Sequence, residues 1–359
     1  MDTFRVALGP ESHPVHVGDA ILDELGELSR AAGVKSGPVA LVTDSNVARH
    51  YSARAAAALQ KSGFVPKLIV IPAGEGSKSS AVLQDVYDQM IDAEIDRGGA
   101  IFALGGGVVG DLAGFAAASY LRGIAVVQVP TTLVAQVDSS LGGKTGVNHP
   151  RAKNLIGAFH QPSAIVADVG TLITLPEREF REGLAEAIKY GAIMDVAMLT
   201  DLERDLDRIV SRDLVTLEAL VARSLRLKAT VVTADEREGG LRKILNFGHT
   251  LGHALEASAG YGTYLHGEAV AIGMAAAATL SEKFGGLSAD EASRLVRLIR
   301  RTGLRTEMPP KFRTADFESA LKLDKKRLAG GVEFVLLQRL GKATTKRLDF
   351  GQIIAAFTN

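Results

Sequence analysis

The 359 residues are long enough for two domains with a sizeable core each, and forty-one basic against forty-one acidic side chains leave no global field that would favour nucleic acid or an anionic membrane. The 47% hydrophobic content is spread over short runs broken by charges, none approaching the ~20 apolar residues of a membrane span, and the start Met1-Asp2-Thr3-Phe4-Arg5 lacks a leader pattern. No cysteine is present, which excludes disulfides and thiolate chemistry and fits a soluble protein of a reducing cytoplasm.

The first half alternates strand and helix. Phe4 to Leu8 and His13 to Val17 read as a strand pair around Gly9-Pro10, followed by a helix from Ala20 to Ala32. Val39 to Thr43 is a short β-rich run ending in Asp44-Ser45-Asn46, with an alanine-rich helix behind it. Leu68 to Ile71 and the Pro72-Ala73-Gly74-Glu75 turn repeat the unit, and Ser79 to Glu94 supplies a helix with Leu83, Val86, Tyr87 and Met90 at helical spacing. Ala100 to Leu104 and Ile124 to Val129 are further strands. Repeated strand–helix units predict a parallel, Rossmann-like α/β domain, with ligands outside the carboxyl ends of the strands.

Between those last two strands lies Gly105-Gly106-Gly107-Val108-Val109-Gly110-Asp111, which formally matches G-x-G-x-x-G. A tight strand-to-helix turn accounts for the glycines equally well on their own. Their position after a strand and before a helix adds bare N–H groups and a helix dipole that suit a pyrophosphate. Two strand–helix units precede the motif, and the strand after it ends in Pro130 instead of an acid, so Asp44 is the candidate for a ribose hydroxyl.

Past Pro130 the chain turns polar and glycine-punctuated: Thr131-Thr132, Asp138 to Asn148, then Lys153-Asn154. Gly142-Gly143-Lys144-Thr145 resembles the end of a P-loop, but the first glycine of that motif would fall at Asp138, so a P-loop is rejected. The stretch reads as a loop whose hydroxyls, amides and ammonium groups suit either solvent or a phosphorylated, polyhydroxylated ligand.

After Leu175 the β-rich runs stop. Helical patterns follow from Arg178 to Ile193, Met198 to Ser211, Val215 to Thr233, Ile244 to Ala259, Glu268 to Phe284 and Ala289 to Thr302, giving domains 1–175 and 176–359, the second all-α. His249 and His253 are four apart and project from one helix face, with His266 after a short glycine-containing loop. Single histidines there would read as core or capping groups, whereas three so close together imply a shared cation. Glu182, Glu186 and Lys189 share a face of the first helix, and the apolar neighbours of Glu186 argue for burial beside a partner such as a metal. One carboxylate and two imidazoles would make a three-ligand zinc site with open positions.

Gly105 to Asp111, Pro130 to Asn148, Lys153 to Phe159, Glu182 to Lys189 and Leu245 to Ala254 together resemble the 3-dehydroquinate synthases, in order over nearly the whole chain. Asp324-Lys325-Lys326 and Phe334 to Leu337 extend the resemblance, and Ala152 departs from it where many members have glycine. It implies an N-terminal NAD-binding domain, a helical metal-bearing domain and an active site in the cleft between them. The implied reaction converts 3-deoxy-D-arabino-heptulosonate 7-phosphate to 3-dehydroquinate and phosphate, by transient oxidation with NAD, phosphate elimination, re-reduction and aldol closure.

The resemblance implies Glu186, His249 and His266 as ligands of Zn2+, with Co2+ as an alternative, and leaves His253 as a substrate or proton-relay group. It assigns Lys144, Lys189, Lys228, Arg242 and one of Lys325 or Lys326 to the substrate's carboxylate and phosphate, with Asn154 and Asn246 as neutral donors. Arg122 would reach a neighbouring subunit's site, which implies a homodimer. On the cofactor side it assigns Asp44, Asn46, Glu75, Lys78, Gly106, Gly107, Val108, Asp111, Thr131, Thr132, Asp138, Ser139, Lys144, Lys153, Thr174 and Glu179. Three alternatives remain: a sugar phosphate cyclase making a cyclitol precursor, a metal-dependent alcohol dehydrogenase, and a nucleotide-binding sensor without catalysis. Lys228, Arg242 and the Asp-Lys-Lys segment favour the carboxylated substrate.

Overall fold

Val39-Ala40-Leu41-Val42 and Ala100-Ile101-Phe102-Ala103-Leu104 are apolar at every position, and in the computed structural model both are central strands buried on two sides. Val39, Leu41, Phe102 and Leu104 pack on one face of the sheet, and Ala40, Val42, Ile101 and Ala103 on the other. The structure describes residues 1–260, 263–309 and 331–358.

The chain divides into two compact units, Met1–Pro176 with Leu214–Thr233, and Glu177–Asp213 with Ala234–Asn359. In the first unit the strands are β1 (Asp2–Val6), β2 (His13–Gly18), β3 (Pro38–Asp44), β4 (Val65–Ile71), β5 (Ala100–Gly105) and β6 (Ala125–Pro130), then β7 (Lys144–His149), β8 (Ala152–Phe159) and β9 (Ala164–Asp168). Seven of them form one sheet in the order β1-β2-β9-β6-β5-β3-β4, with only the β1–β2 pair antiparallel. The chain leaves β3 towards β4 and leaves β5 towards β6, in opposite directions. The neighbouring carboxyl ends of β3 and β5 are therefore the topological switch point, where open parallel sheets bind ligands.

Helices α1 (Leu25–Ala31), α2 (Ser45–Val47), α3 (Ala53–Lys61), α4 (Ser80–Asp92) and α5 (Gly107–Ser119) follow the strands. The helix expected from Ala20 to Ala32 is split, Ile21–Glu24 being 3-10. The polar stretch expected as a loop is helical over Ala135–Ser139 and ends in the antiparallel β7–β8 hairpin, in which Val147 is buried and Thr145 lies against α5. Strand β9, buried throughout, is absent from the sequence expectation because five apolar-rich residues in polar surroundings carry too short a pattern.

The second unit contains α6 (Glu177–Met194) and α7 (Val196–Val210). Helix α8 (Leu214–Ala234) returns to the first unit. There Glu218 meets the Met1 amino group at 3.1 Å, and the Arg226 guanidinium lies 4.4 Å from the centre of the Phe4 ring. The expected boundary at 175 thus misses this one returning helix, whose pattern alone does not say which core it joins. Helices α9 (His249–Ala259), α10 (His266–Phe284) and α11 (Ala289–Arg301) follow, and a last helix, α12 (Phe350–Thr358), closes the described residues. The unit is helical but not all-α, because β10 (Val332–Arg339) and β11 (Lys342–Leu348) pair as a hairpin whose Phe334, Leu336 and Leu348 pack with Leu280 of α10. Among the described residues no helix is long and apolar enough to cross a membrane.

Candidate functional site

In the first unit, Asp44 closes β3 and caps α2, its Oδ1 accepting the N–H groups of Asn46 at 2.8 Å and Val47 at 3.1 Å. Register pairs Thr43 with Leu104, so Asp44 lies beside Gly105 at the switch point. Gly106 precedes α5 with no side-chain cap, which leaves the first N–H groups of α5, including those of Gly107 and Val108, outside any cap. A Cβ at Gly106 would stand 2.9 Å from Thr132 Cγ2, and one at Gly107 3.1 Å from Ser139 Oγ. The hydroxyls of Thr131 and Ser139 are buried with no hydrogen-bond partner. Donors held ready beside a bare glycine turn fit a nucleotide's phosphates.

A polar network adjoins the turn. Lys78, 5% exposed, donates to Asp111 Oδ2 at 2.7 Å and to Asn154 Oδ1 at 2.5 Å. Burial pushes the Asp111 carboxyl above the usual carboxylate range, against the pull of the Lys78 ammonium. Asn154 sits in the left-handed region at φ 55°, its N–H bonded to Asn148 Oδ1, and Asn148 Nδ2 donates to Glu75 Oε1 at 2.8 Å. Lys228 of α8 donates to both the carbonyl and Oδ1 of Asp138 at 2.8 Å. Thr174 Oγ1 is 2.7 Å from Tyr51 Oη. Lys144 is exposed at the start of β7 and Lys153 is half-buried on β8. Arg122 is exposed, with Leu121, Arg122 and Gly123 all at positive φ. Of the residues assigned to the cofactor, Glu179 alone falls in the second unit.

That unit gathers the carboxylate and imidazoles. Glu186 on α6 is fully buried and ion-paired with the buried Lys189 one turn later. The expected helix from Ile244 is broken, since Leu241–Asn246 is 3-10 and Gly248 takes φ 81°, so α9 begins at His249. Helices α9 and α10 run antiparallel in close contact, Gly248 against Met274 and Gly252 against Ala269, with a Cβ at Gly273 only 2.0 Å from the Gly248 carbonyl oxygen. This approach brings together His249 and His266, the first residues of the two helices, with ring centres 5.1 Å apart. His249 Nε2 lies 3.6 Å and His266 Nε2 3.4 Å from Glu186 Oε1.

These three residues offer ligand atoms that all lie within 4.8 Å of one another. Burial drives the His249 pKa down to about 3, so its ring is neutral, and its Nδ1 faces the Phe247 carbonyl at 3.3 Å. A proton held on Nδ1 turns the Nε2 lone pair towards a carboxylate oxygen. Two acceptors face to face is an arrangement that a cation reconciles, so the donor set fits a divalent metal. Burial opposes charge on His266 too, but Glu186 and Glu256 outweigh it and raise that pKa to about 10. One turn before Glu186, burial raises Glu182 to about 7, while its Oε2 accepts the Gly267 N–H at 2.9 Å.

His253 is exposed, its ring centre 5.4 Å from that of His249, and it belongs to a second grouping with Glu256 and His266. Arg242 is 3% exposed and donates to the Glu236 carbonyl, and Asn246 Nδ2 donates to Glu238 Oε1 at 2.8 Å. The sequence reading passes over Glu182's bond to Gly267, Glu238 and Glu256. For Glu256 a signal exists, since His249, His253 and Glu256 follow one another along one face of α9. Asp324-Lys325-Lys326 lies outside the described residues.

Solved structures share this architecture over almost the full length. ValA (2-epi-5-epi-valiolone synthase) of Streptomyces hygroscopicus subsp. jinggangensis, with NAD+ and Zn2+ bound, is 29% identical with a TM-score of 0.88, over 98% of this chain and 97% of that one. A 2-deoxy-scyllo-inosose synthase complexed with carbaglucose-6-phosphate, NAD+ and Co2+ is 26% identical with a TM-score of 0.89, over 99% of both chains. The fold is that of the sugar phosphate cyclases. Family models narrow it: 3-dehydroquinate synthase N-terminal matches residues 68–182 and 3-dehydroquinate synthase C-terminal matches 183–327. A 3-dehydroquinate synthase of Citrifermentans bemidjiense is 49% identical over 354 residues, 98% of this chain and 97% of the relative. The chain belongs to the 3-dehydroquinate synthase family.

Proposed function

We propose that the protein converts 3-deoxy-D-arabino-heptulosonate 7-phosphate to 3-dehydroquinate and phosphate, using NAD+ and a divalent metal, Zn2+ or Co2+. The convergence of Glu186, His249 and His266, in a chain about half identical to synthases of that name, carries the reading. Bound NAD+ would supply oxidation at carbon 5 and its later reversal, and the metal ion would polarise the oxygen there.

This chain's residues do the rest. Glu186, His249 and His266 would hold the ion, with Lys189 limiting the excess negative charge of Glu186. The uncapped start of α5 and the hydroxyls of Thr131, Thr132 and Ser139 would receive the cofactor phosphates, and Asp44 a ribose hydroxyl. Arg242, a guanidinium held almost out of solvent, presents a planar fork suited to a carboxylate or phosphate. Lys144, Lys189 and Lys228, with Asn154 and Asn246, would share the substrate's two anionic groups. His253 is exposed one turn from His249, where it would take or return a proton. Arg122 would serve a second copy's site, which makes a homodimer part of this reading, as is a cytoplasmic location.

Phosphate release tests it directly. Turnover of the heptulosonate phosphate is expected to stop on chelation, to return with Zn2+ or Co2+, and to leave no net NADH absorbance. Sedoheptulose 7-phosphate, which lacks the carboxylate, should release phosphate far more slowly; the opposite preference would move the protein to the cyclitol-forming cyclases. Lys228→Ala removes a charge-assisted contact of about 1.5–3 kcal/mol, so the Michaelis constant should rise by roughly 10- to 100-fold. An unchanged Michaelis constant would remove Lys228 from the substrate contacts.

A further inference from the structure

Both imidazoles of the three-residue cluster direct Nε2 at Glu186, so what faces each Nδ1 decides how the ring is held. For His249 it is a neutral group, the Phe247 carbonyl at 3.3 Å. For His266 it is a carboxylate, Glu256 Oε2 at 3.7 Å. Glu256 is 6% exposed and lies seven residues beyond His249 on α9, at the level where the antiparallel α10 begins with His266. A buried carboxylate is costly without a partner, and this one sits behind a ring whose other nitrogen meets the cluster.

We propose that Glu256 is a positioning residue for His266: its carboxylate accepts the Nδ1–H, fixes the tautomer that turns the Nε2 lone pair to the metal, and makes that nitrogen a stronger donor. This rests on the reading that Glu186, His249 and His266 hold a metal. A carboxylate behind a ligating imidazole works this way in metal sites generally, and its loss costs roughly 10- to 100-fold in metal affinity. The competing use of the same residues, a second cation shared by His253, Glu256 and His266, would require His266 to bind one ion at each nitrogen, which a neutral ring carrying a proton cannot do.

The test measures Zn2+ affinity and stoichiometry of the full chain by competition with a chromophoric chelator, and the visible absorption of the Co2+-loaded protein. Glu256→Gln keeps the side chain's shape and an acceptor oxygen but loses the charge, while Glu256→Ala removes both. One ion per chain is expected throughout, with affinity falling roughly 10-fold in Glu256→Gln and towards 100-fold in Glu256→Ala, and with shifted Co2+ bands in both. The melting temperature of metal-free Glu256→Gln should match that of the metal-free parent, which separates positioning from a loss of fold. Unchanged affinity and Co2+ bands would overturn the proposal, as would a parent that binds two ions and a variant that binds one. A parent that binds no ion at all would instead overturn the metal reading beneath it.

Discussion

His249→Ala is expected to lose the metal and the activity together. The side chain is one of three whose donor atoms lie within 4.8 Å of one another, and the two that remain leave a site with one carboxylate and one imidazole. A metal ion polarising the reacting oxygen is worth several kcal/mol of transition-state stabilisation, and each 1.36 kcal/mol is a factor of ten. Turnover should therefore fall on the order of a thousandfold or more. Elemental analysis after dialysis should find close to no zinc in His249→Ala and about one ion per chain in His253→Ala, which should be slow but loaded. Full occupancy in the first variant would remove His249 from the ligand set, and an empty site in the second would place His253 in it; either outcome overturns the triangle of Glu186, His249 and His266.

That contrast marks what the sequence discloses about the site. A four-residue spacing says that His249 and His253 share a helix face, and α9 has both on it. It does not say which of them meets a third group, because that depends on where α6 and α10 pass. Glu186 is legible from its apolar neighbours, since a carboxylate among Leu184, Ala185, Ala187 and Ile188 is buried and must be compensated. On the cofactor side, the Gly105–Gly107 turn and Asp44 are each visible as strand ends. Their adjacency is a consequence of β5 pairing with β3 instead of with β4, the strand before it in the chain. Local pattern does not encode strand order. The β7–β8 hairpin hides for a different reason: its glycines are there for close contact, Gly146 against the Ile156 carbonyl and Gly157 against the Thr145 carbonyl, and close-contact glycines look like loop punctuation.

Gly267→Ala should disable the same cluster without touching a ligand. Gly267 is the second residue of α10, and a Cβ there would stand 2.0 Å from the Glu182 carbonyl oxygen, 2.7 Å from its carbon and 3.0 Å from its Cα. All three are backbone atoms of α6, so no rotamer change relieves the clash and the start of α10 must move away. The Gly267 N–H is bonded to Glu182 Oε2, and the preceding Leu265 N–H to Glu268 Oε2, both at 2.9 Å. A shift that clears the methyl group strains both bonds and draws His266 away from Glu186, the carboxylate on the next turn of the same α6. Overpacking of this kind costs typically about 1–3 kcal/mol in stability, and the rigidity of the obstacle places Gly267→Ala at the upper end. Zinc affinity should fall by at least roughly 10-fold, the equivalent of about 1.4 kcal/mol, with a lowered melting temperature in the metal-free protein as well. The conjunction is what distinguishes this variant from Glu256→Gln, in which affinity alone should change. A Gly267→Ala protein with parental zinc affinity would show that α6 and α10 do not meet as closely as the 2.0 Å approach requires, and that His266 is placed by something other than this contact.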